Sequence, residues 1–167
     1  MPEYHYSKEY LEYSSEYQEY IAVRDMCKMM IALHEEDFDS AVDTWKKHEG
    51  PHYRLVQQAV RMFNIFLANK DQDPAEWARG YEAYAGAEDV SVRAMCRMTV
   101  ALHQEDDDMA LDVWNEYPHV RLATEAIGWL TTYLVRDGQN PVEWARGYEA
   151  YAAEQVGCRP SLSERKP

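Results

Sequence analysis

Two short stretches set an imidazole beside carboxylates: His34-Glu35-Glu36-Asp37 and His103-Gln104-Glu105-Asp106. A histidine flanked by acids can relay protons or help to hold a metal. Each stretch also ends a run of helical periodicity, where a histidine meets the exposed carbonyls of the last turn. The helix-end role is the expected one, and Glu35 against Gln104 breaks any duplicated ligand set. His48 and His52 are separated by Gly50 and Pro51, and Glu116 and His119 by Pro118, so neither pair shares the helical face that a metal site uses. Asp106-Asp107-Asp108 lacks the glycine and distal glutamate of a calcium loop. No phosphate-cradling loop, nucleophile elbow or Cys-His pairing accompanies these groups. The residues therefore assign no catalytic, metal-binding or cofactor-binding position, and a non-enzymatic protein is expected.

Cys27 and Cys96 stand among Met, Ile and Leu and read as small buried hydrophobes, while Cys158 lies near the end of the chain. Three cysteines without metal spacing make no disulfide framework, which suits a reducing cytoplasm. There is no leader-like segment and no apolar run of about twenty residues, so no membrane association is expected. The formal charge of −13 is spread over the chain and disfavours direct nucleic acid binding, which needs clustered Lys and Arg. With 46% hydrophobic residues, 13 Tyr and 5 Trp, the 167-residue chain can still build a substantial core.

What must position these groups is an internal duplication. EWARGYEAYA occurs at 76–85 and again at 143–152, and residues 23–45 align with 92–114. The matched pairs include Arg24/Arg93, Met26/Met95, Cys27/Cys96, His34/His103, Asp37/Asp106, Ala41/Ala110 and Trp45/Trp114. The boundaries fall at 1–22, a tyrosine-rich capping helix; 23–91 and 92–153, two helical units; and 154–167, a polar tail. Each unit reads as four helices. Asp37 and Asp106 cap the second, Pro51 and Pro118 open the third, and Asp73-Pro74 and Asn140-Pro141 start the fourth. The third is apolar around most of its circumference and should be the most buried. Trp45, Trp114, Trp77 and Trp144 are expected in the core. No Gly or Pro separates Tyr20 from Val23, so the capping helix should run on into the first helix of unit one.

Ala32-Leu33 followed by Asp37-Phe38 and then Ala41 and Trp45 resembles the packing pattern of tetratricopeptide repeats, carried by the first hairpin of each unit. The resemblance implies an all-α, tetratricopeptide-like solenoid of eight or nine antiparallel helices, acting as a protein-binding adaptor or inhibitor. The partner would be another protein, a basic nucleic-acid-binding protein being the kind its charge suits. A second expectation is an acidic mimic of nucleic acid, of the phage anti-restriction or anti-CRISPR type. The third is an enzyme built on the paired His-acid turns. Candidate partner-binding residues are the stripe Tyr6, Tyr10, Tyr13 and Tyr17; the acids Glu36, Asp37, Asp39, Glu105, Asp106 and Asp108; and Arg79 and Arg146 between the aromatics of the repeated motif.

Overall fold

The computed structural model describes residues 16–85 and 89–157, and these form eight α-helices with no strand among them. They are α1 (Glu16–His34), α2 (Phe38–Lys47), α3 (His52–Asn69), α4 (Pro74–Ala85), α5 (Val90–His103), α6 (Asp107–Glu116), α7 (Val120–Arg136) and α8 (Pro141–Gly157). The helix from Glu16 passes through Tyr20 and Val23 without a break, so the 22/23 boundary falls inside α1. The other end of unit two extends past 153, because α8 continues to Gly157.

The starts follow from side-chain caps. Asp37 accepts from the Ser40 amide at 3.1 Å and Asp106 from the Met109 amide at 3.0 Å. Asp73 takes the amides of Ala75 and Glu76, and Asn140 those of Val142 and Glu143, ahead of Pro74 and Pro141. Pro51 stands one step, and Pro118 two steps, ahead of the first helical position where they were expected. Pro51 is the cap residue of α3, and Pro118 precedes His119, whose ring nitrogen accepts from the Arg121 amide and caps α7.

Helix ends are equally regular. Glu36 and Glu105 occupy left-handed backbone at φ 60° and 56°, closing α1 and α5 with paired bonds such as Asp37 N–H to the Ala32 carbonyl, 2.8 Å. After α3 that conformation falls on Asp71, φ 59°, whereas its counterpart after α7 is Gly138, φ 77°. A side chain in left-handed backbone is strained where glycine is not. Asp71→Gly should therefore stabilise the protein by about 0.5–1 kcal/mol, less being gained than the strain relieved because glycine also loosens the unfolded chain. The denaturation midpoint checks this, and an unchanged or lower midpoint refutes it.

Packing is where the expected solenoid gives way. α4 lies along α5, and α8 lies still more extensively along α1, so the last helix of each unit covers the first helix of the other. An open stack would hold α1 and α8 far apart. Counterpart residues also meet: Trp45 with Trp114 at 6.1 Å, Phe66 with Tyr133 at 6.3 Å, and Lys70 with Asp137 in an ion pair. Together with the reciprocal pairing of α4 with α5 and of α8 with α1, these contacts relate the units by a pseudo-twofold axis. Phe66, Tyr133, Lys70 and Asp137 bring the C-terminal ends of α3 and α7 together, and Trp45 and Trp114 meet just ahead of where those helices begin, so the two run side by side in the same sense. The third helices are nonetheless the heart of the fold, as their apolar circumference requires: α3 packs on α1, α5 and α7 and buries Leu55, Val56, Ala59, Val60, Phe63 and Leu67. The second hairpin of each unit does not form in the tetratricopeptide manner, since α3 barely touches α4, nor α7 α8.

Trp45 and Trp114 are buried. Trp77 and Trp144 are not fully so; they pack as half-buried residues against the margin of the core. The reason is that α4 and α8 flank the body, each covered mainly by one neighbour, so the aromatic face of EWARGYEAYA is only half enclosed.

Candidate binding surface

The acids singled out from the sequence lie at two counterpart corners, the turns between α1 and α2 and between α5 and α6. Glu36, Asp37, Asp39, Glu105, Asp106 and Asp108 are all exposed. Asp37 and Asp106 are committed to capping as well, and bonds from the Ser40 hydroxyl and amide hold the Asp37 carboxyl below the usual carboxylate range. Of the histidines, His34 is exposed at the end of α1, while His103 Nε2 lies 3.7 Å from Asp73 Oδ1. The counterpart of Asp73 is Asn140, so the two turns do not offer the same chemistry.

The tyrosine stripe divides. Tyr6, Tyr10 and Tyr13 lie outside the described residues. Tyr17, expected on a binding face, is 6% exposed and belongs to the core. Arg79 and Arg146 are exposed, and neither stacks on a ring nor forms an ion pair among the described residues.

A surface that the sequence did not single out lies between α4 and α7. Tyr81 from α4 faces Glu125, Gly128, Trp129, Thr132 and Arg136 from α7 across an open groove of about 300 Å³. The Tyr81 ring meets Trp129 edge-on at 4.4 Å and stacks parallel on Trp77 at 5.4 Å. Trp77 is held in turn by an Nε1–H bond to the Tyr133 hydroxyl, 2.8 Å, and by Phe63 at 4.8 Å. Such rings form a rigid wall with its faces fixed. One turn further, Tyr84 is 87% exposed. Its counterpart Tyr151 is 52% exposed and packs edge-on against Tyr20 at 6.0 Å; the position equivalent to Tyr20 is Asp89, the cap residue ahead of α5, which offers no ring.

The groove lining holds one acid, Glu125, and one base, Arg136, with Asp89 close to Glu125. Burial raises the Glu125 pKa, and the nearby Asp89 charge raises it further. The Tyr81 phenol is likewise pushed up, first by burial and then by Glu125, Cys96 and Asp89. The floor is bare, since a Cβ added at Gly128 would meet nothing within 4 Å. None of this was visible in the matched residues, because the groove is made of mismatches: Glu125, Gly128 and Trp129 stand opposite Gln58, Arg61 and Met62 in α3. Reading the unmatched pairs would have marked the spot.

Two other groups of chemical interest are enclosed. The Cys27 and Cys96 thiols are buried and both pushed up to about 12, chiefly by desolvation, so they are poor nucleophiles. His48 Nδ1–H donates to Asp25 Oδ2 at 2.7 Å, and Asp25 also receives Arg24 Nε at 3.2 Å. His48 Nε2 is buried without a partner. Among the described residues no group of three or more His, Cys, Asp and Glu could hold a metal ion, and no described helix is long and apolar enough to cross a membrane. Compared with protein families, with curated proteins and with solved structures, the chain has no significant match in any of the three.

Proposed function

We propose that this protein is a non-catalytic binding protein that takes a basic segment of a partner protein into the α4/α7 groove. The observation that carries the reading is the conjunction of fixed aromatic faces (Tyr81, Trp129, with Tyr84 beyond them) and the half-buried Glu125 carboxylate in one open cleft, whose one base, Arg136, lies over the Tyr133 ring. Aromatic faces attract a guanidinium or ammonium through their quadrupoles, and a desolvated carboxylate beside them adds a charge-assisted hydrogen bond. Arginine suits both at once. The overall charge of −13 steers a basic partner toward the protein at long range. Two free, buried thiols accord with a reducing, cytoplasmic setting.

The test uses capped peptides, acetyl-Gly-Arg-Gly-Arg-Gly-amide and its citrulline analogue, followed by amide chemical shifts. The arginine peptide should perturb α4 and α7 saturably and the citrulline peptide at least tenfold more weakly, roughly 1.4 kcal/mol. Gly128→Arg supplies the decisive variant. It places in α7 the residue that α3 carries at the matching position, fills the groove, and removes a helix-weakening glycine. Binding should be lost with stability equal or higher. Unchanged affinity in that variant rejects the groove.

A second reading, mimicry of nucleic acid, is favoured by the exposure of both acid corners. It separates by changing Glu36 and Glu105 to Gln and Asp37, Asp39, Asp106 and Asp108 to Asn, since Asn preserves the two caps. A mimic loses its partner in this variant and competes with DNA in its native form, with steep salt dependence. A groove-binding protein keeps most of its affinity.

A further inference from the structure

The Asp25 cluster and its counterpart in unit two point to a second binding site. In unit one, the Asp25 carboxylate sits between Arg24 and His48, 3.2 Å from the guanidinium and 2.7 Å from the imidazole. The matching residues in unit two are Ala94 for Asp25, Arg93 for Arg24, and Tyr117, three after Trp114 as His48 is three after Trp45. The basic group and the hydrogen-bond donor are thus retained, and the carboxylate between them is replaced by a methyl group. At that place the surface opens into a pocket of about 100 Å³ lined by Arg93, Ala94, Arg97, Val113, Glu116 and Tyr117.

From this we propose that the pocket binds a carboxylate from outside the chain, in the position that Asp25 fills in unit one. Arg93 has no ion pair among the described residues, in a protein where acids outnumber bases 30 to 17. It also lines the adjoining hollow of about 320 Å³ with Arg79 and Glu82, so its guanidinium lies within reach of solvent. Arg97 also lines the pocket, but Glu82, 3.7 Å away, offsets its charge, so Arg93 is the cation that a bound carboxylate would meet, with Glu116 the one acid of the lining. A guanidinium fork binds both oxygens of a carboxylate, and the Tyr117 hydroxyl can donate to it as His48 does to Asp25. The pocket has room for a carboxyl group and the carbon that bears it. Its source is either a free small acid or an acidic side chain of a partner.

Sodium acetate, titrated against chloride at constant ionic strength, is the first probe, followed on the Arg93 Nε–H and Ala94 amide resonances. Saturable shifts are expected with a Kd of roughly 1–10 mM. Ala94→Asp installs the internal carboxylate of unit one and should raise the Kd at least tenfold; Arg93→Gln should do the same, and Arg79→Gln should leave it unchanged. Acetyl-Gly-Glu-Gly-amide distinguishes the sources: binding at least tenfold tighter than acetate assigns the site to a partner's side chain, and equal or weaker binding to a free acid. The proposal is overturned if no saturable shift develops by roughly 50 mM acetate, or if both folded variants bind acetate as the parent does. Should Ala94→Asp fail to fold by circular dichroism, Arg93→Gln alone decides.

Discussion

Trp114→Ala should lower the stability of the protein by about 3–5 kcal/mol, a large share of the roughly 5–15 kcal/mol that a domain possesses. Trp114 is fully buried, lies 6.1 Å from Trp45 and 6.4 Å from Tyr53, and so stands where both units meet. Removing its ring opens a cavity on the pseudo-twofold axis, and neither unit can fill it without moving against the other. The same change at Trp144, half-buried beside Tyr148, should cost less than half as much. Urea denaturation of the two variants checks the contrast. Equal losses would mean that the centre of the core has been misplaced.

Asp25→Ala should cost about 3 kcal/mol, because it leaves His48 buried with neither ring nitrogen bonded. The double change Asp25→Ala/His48→Tyr copies the solution of unit two and should recover more than half of that loss. Replacing both members of a buried polar pair is far milder than orphaning one. A double variant as unstable as the single would show that the pair does not act as a unit. The pH dependence has a definite sign. Burial alone would raise the Asp25 pKa, but the His48 hydrogen bond and the Arg24 charge outweigh it and hold the pKa below 3.8. A carboxylate depressed in the folded state stabilises above its unfolded pKa and loses that contribution as pH falls through the folded value. The gap between parent and Asp25→Ala should therefore be full at pH 5 and above and shrink below about pH 4.

Much of the helical skeleton was legible because its determinants are local. Asp37, Asp106, Asp73 and Asn140 each cap by reaching two or three residues along the chain, and the uninterrupted run through Tyr20 and Val23 could only continue as helix. The closed packing was not legible. Matching residues such as Trp45 and Trp114 show that two units are alike, yet a translation that stacks them and a rotation that pairs them leave the same trace in sequence. Trp77 and Trp144 were assigned to the core on the same footing as Trp45, since spacing shows which face of a helix is apolar and not how much of that face a neighbour covers. The Glu125–Trp129 groove and the Ala94 pocket both lie at positions where the units differ, so a search for agreement between the units passes over them. The proposed binding sites rest on those differences, in surface residues that no folding requirement fixes.

The embrace of α8 by α1 also bears on how such a protein can change in size. In an open stack, another repeat adds to an end and leaves earlier contacts intact. Here the face that would receive a third unit is already taken, because each final helix is spent on the opposite unit's first. Inserting a repeat would mean parting α1 from α8 and losing the buried faces of both. Conversely, a chain carrying only one unit would present an unmet first helix and an unmet last helix that fit each other between molecules, the geometry of a symmetric dimer. Two is thus the number at which the architecture saturates, whether both halves come from one chain or from two.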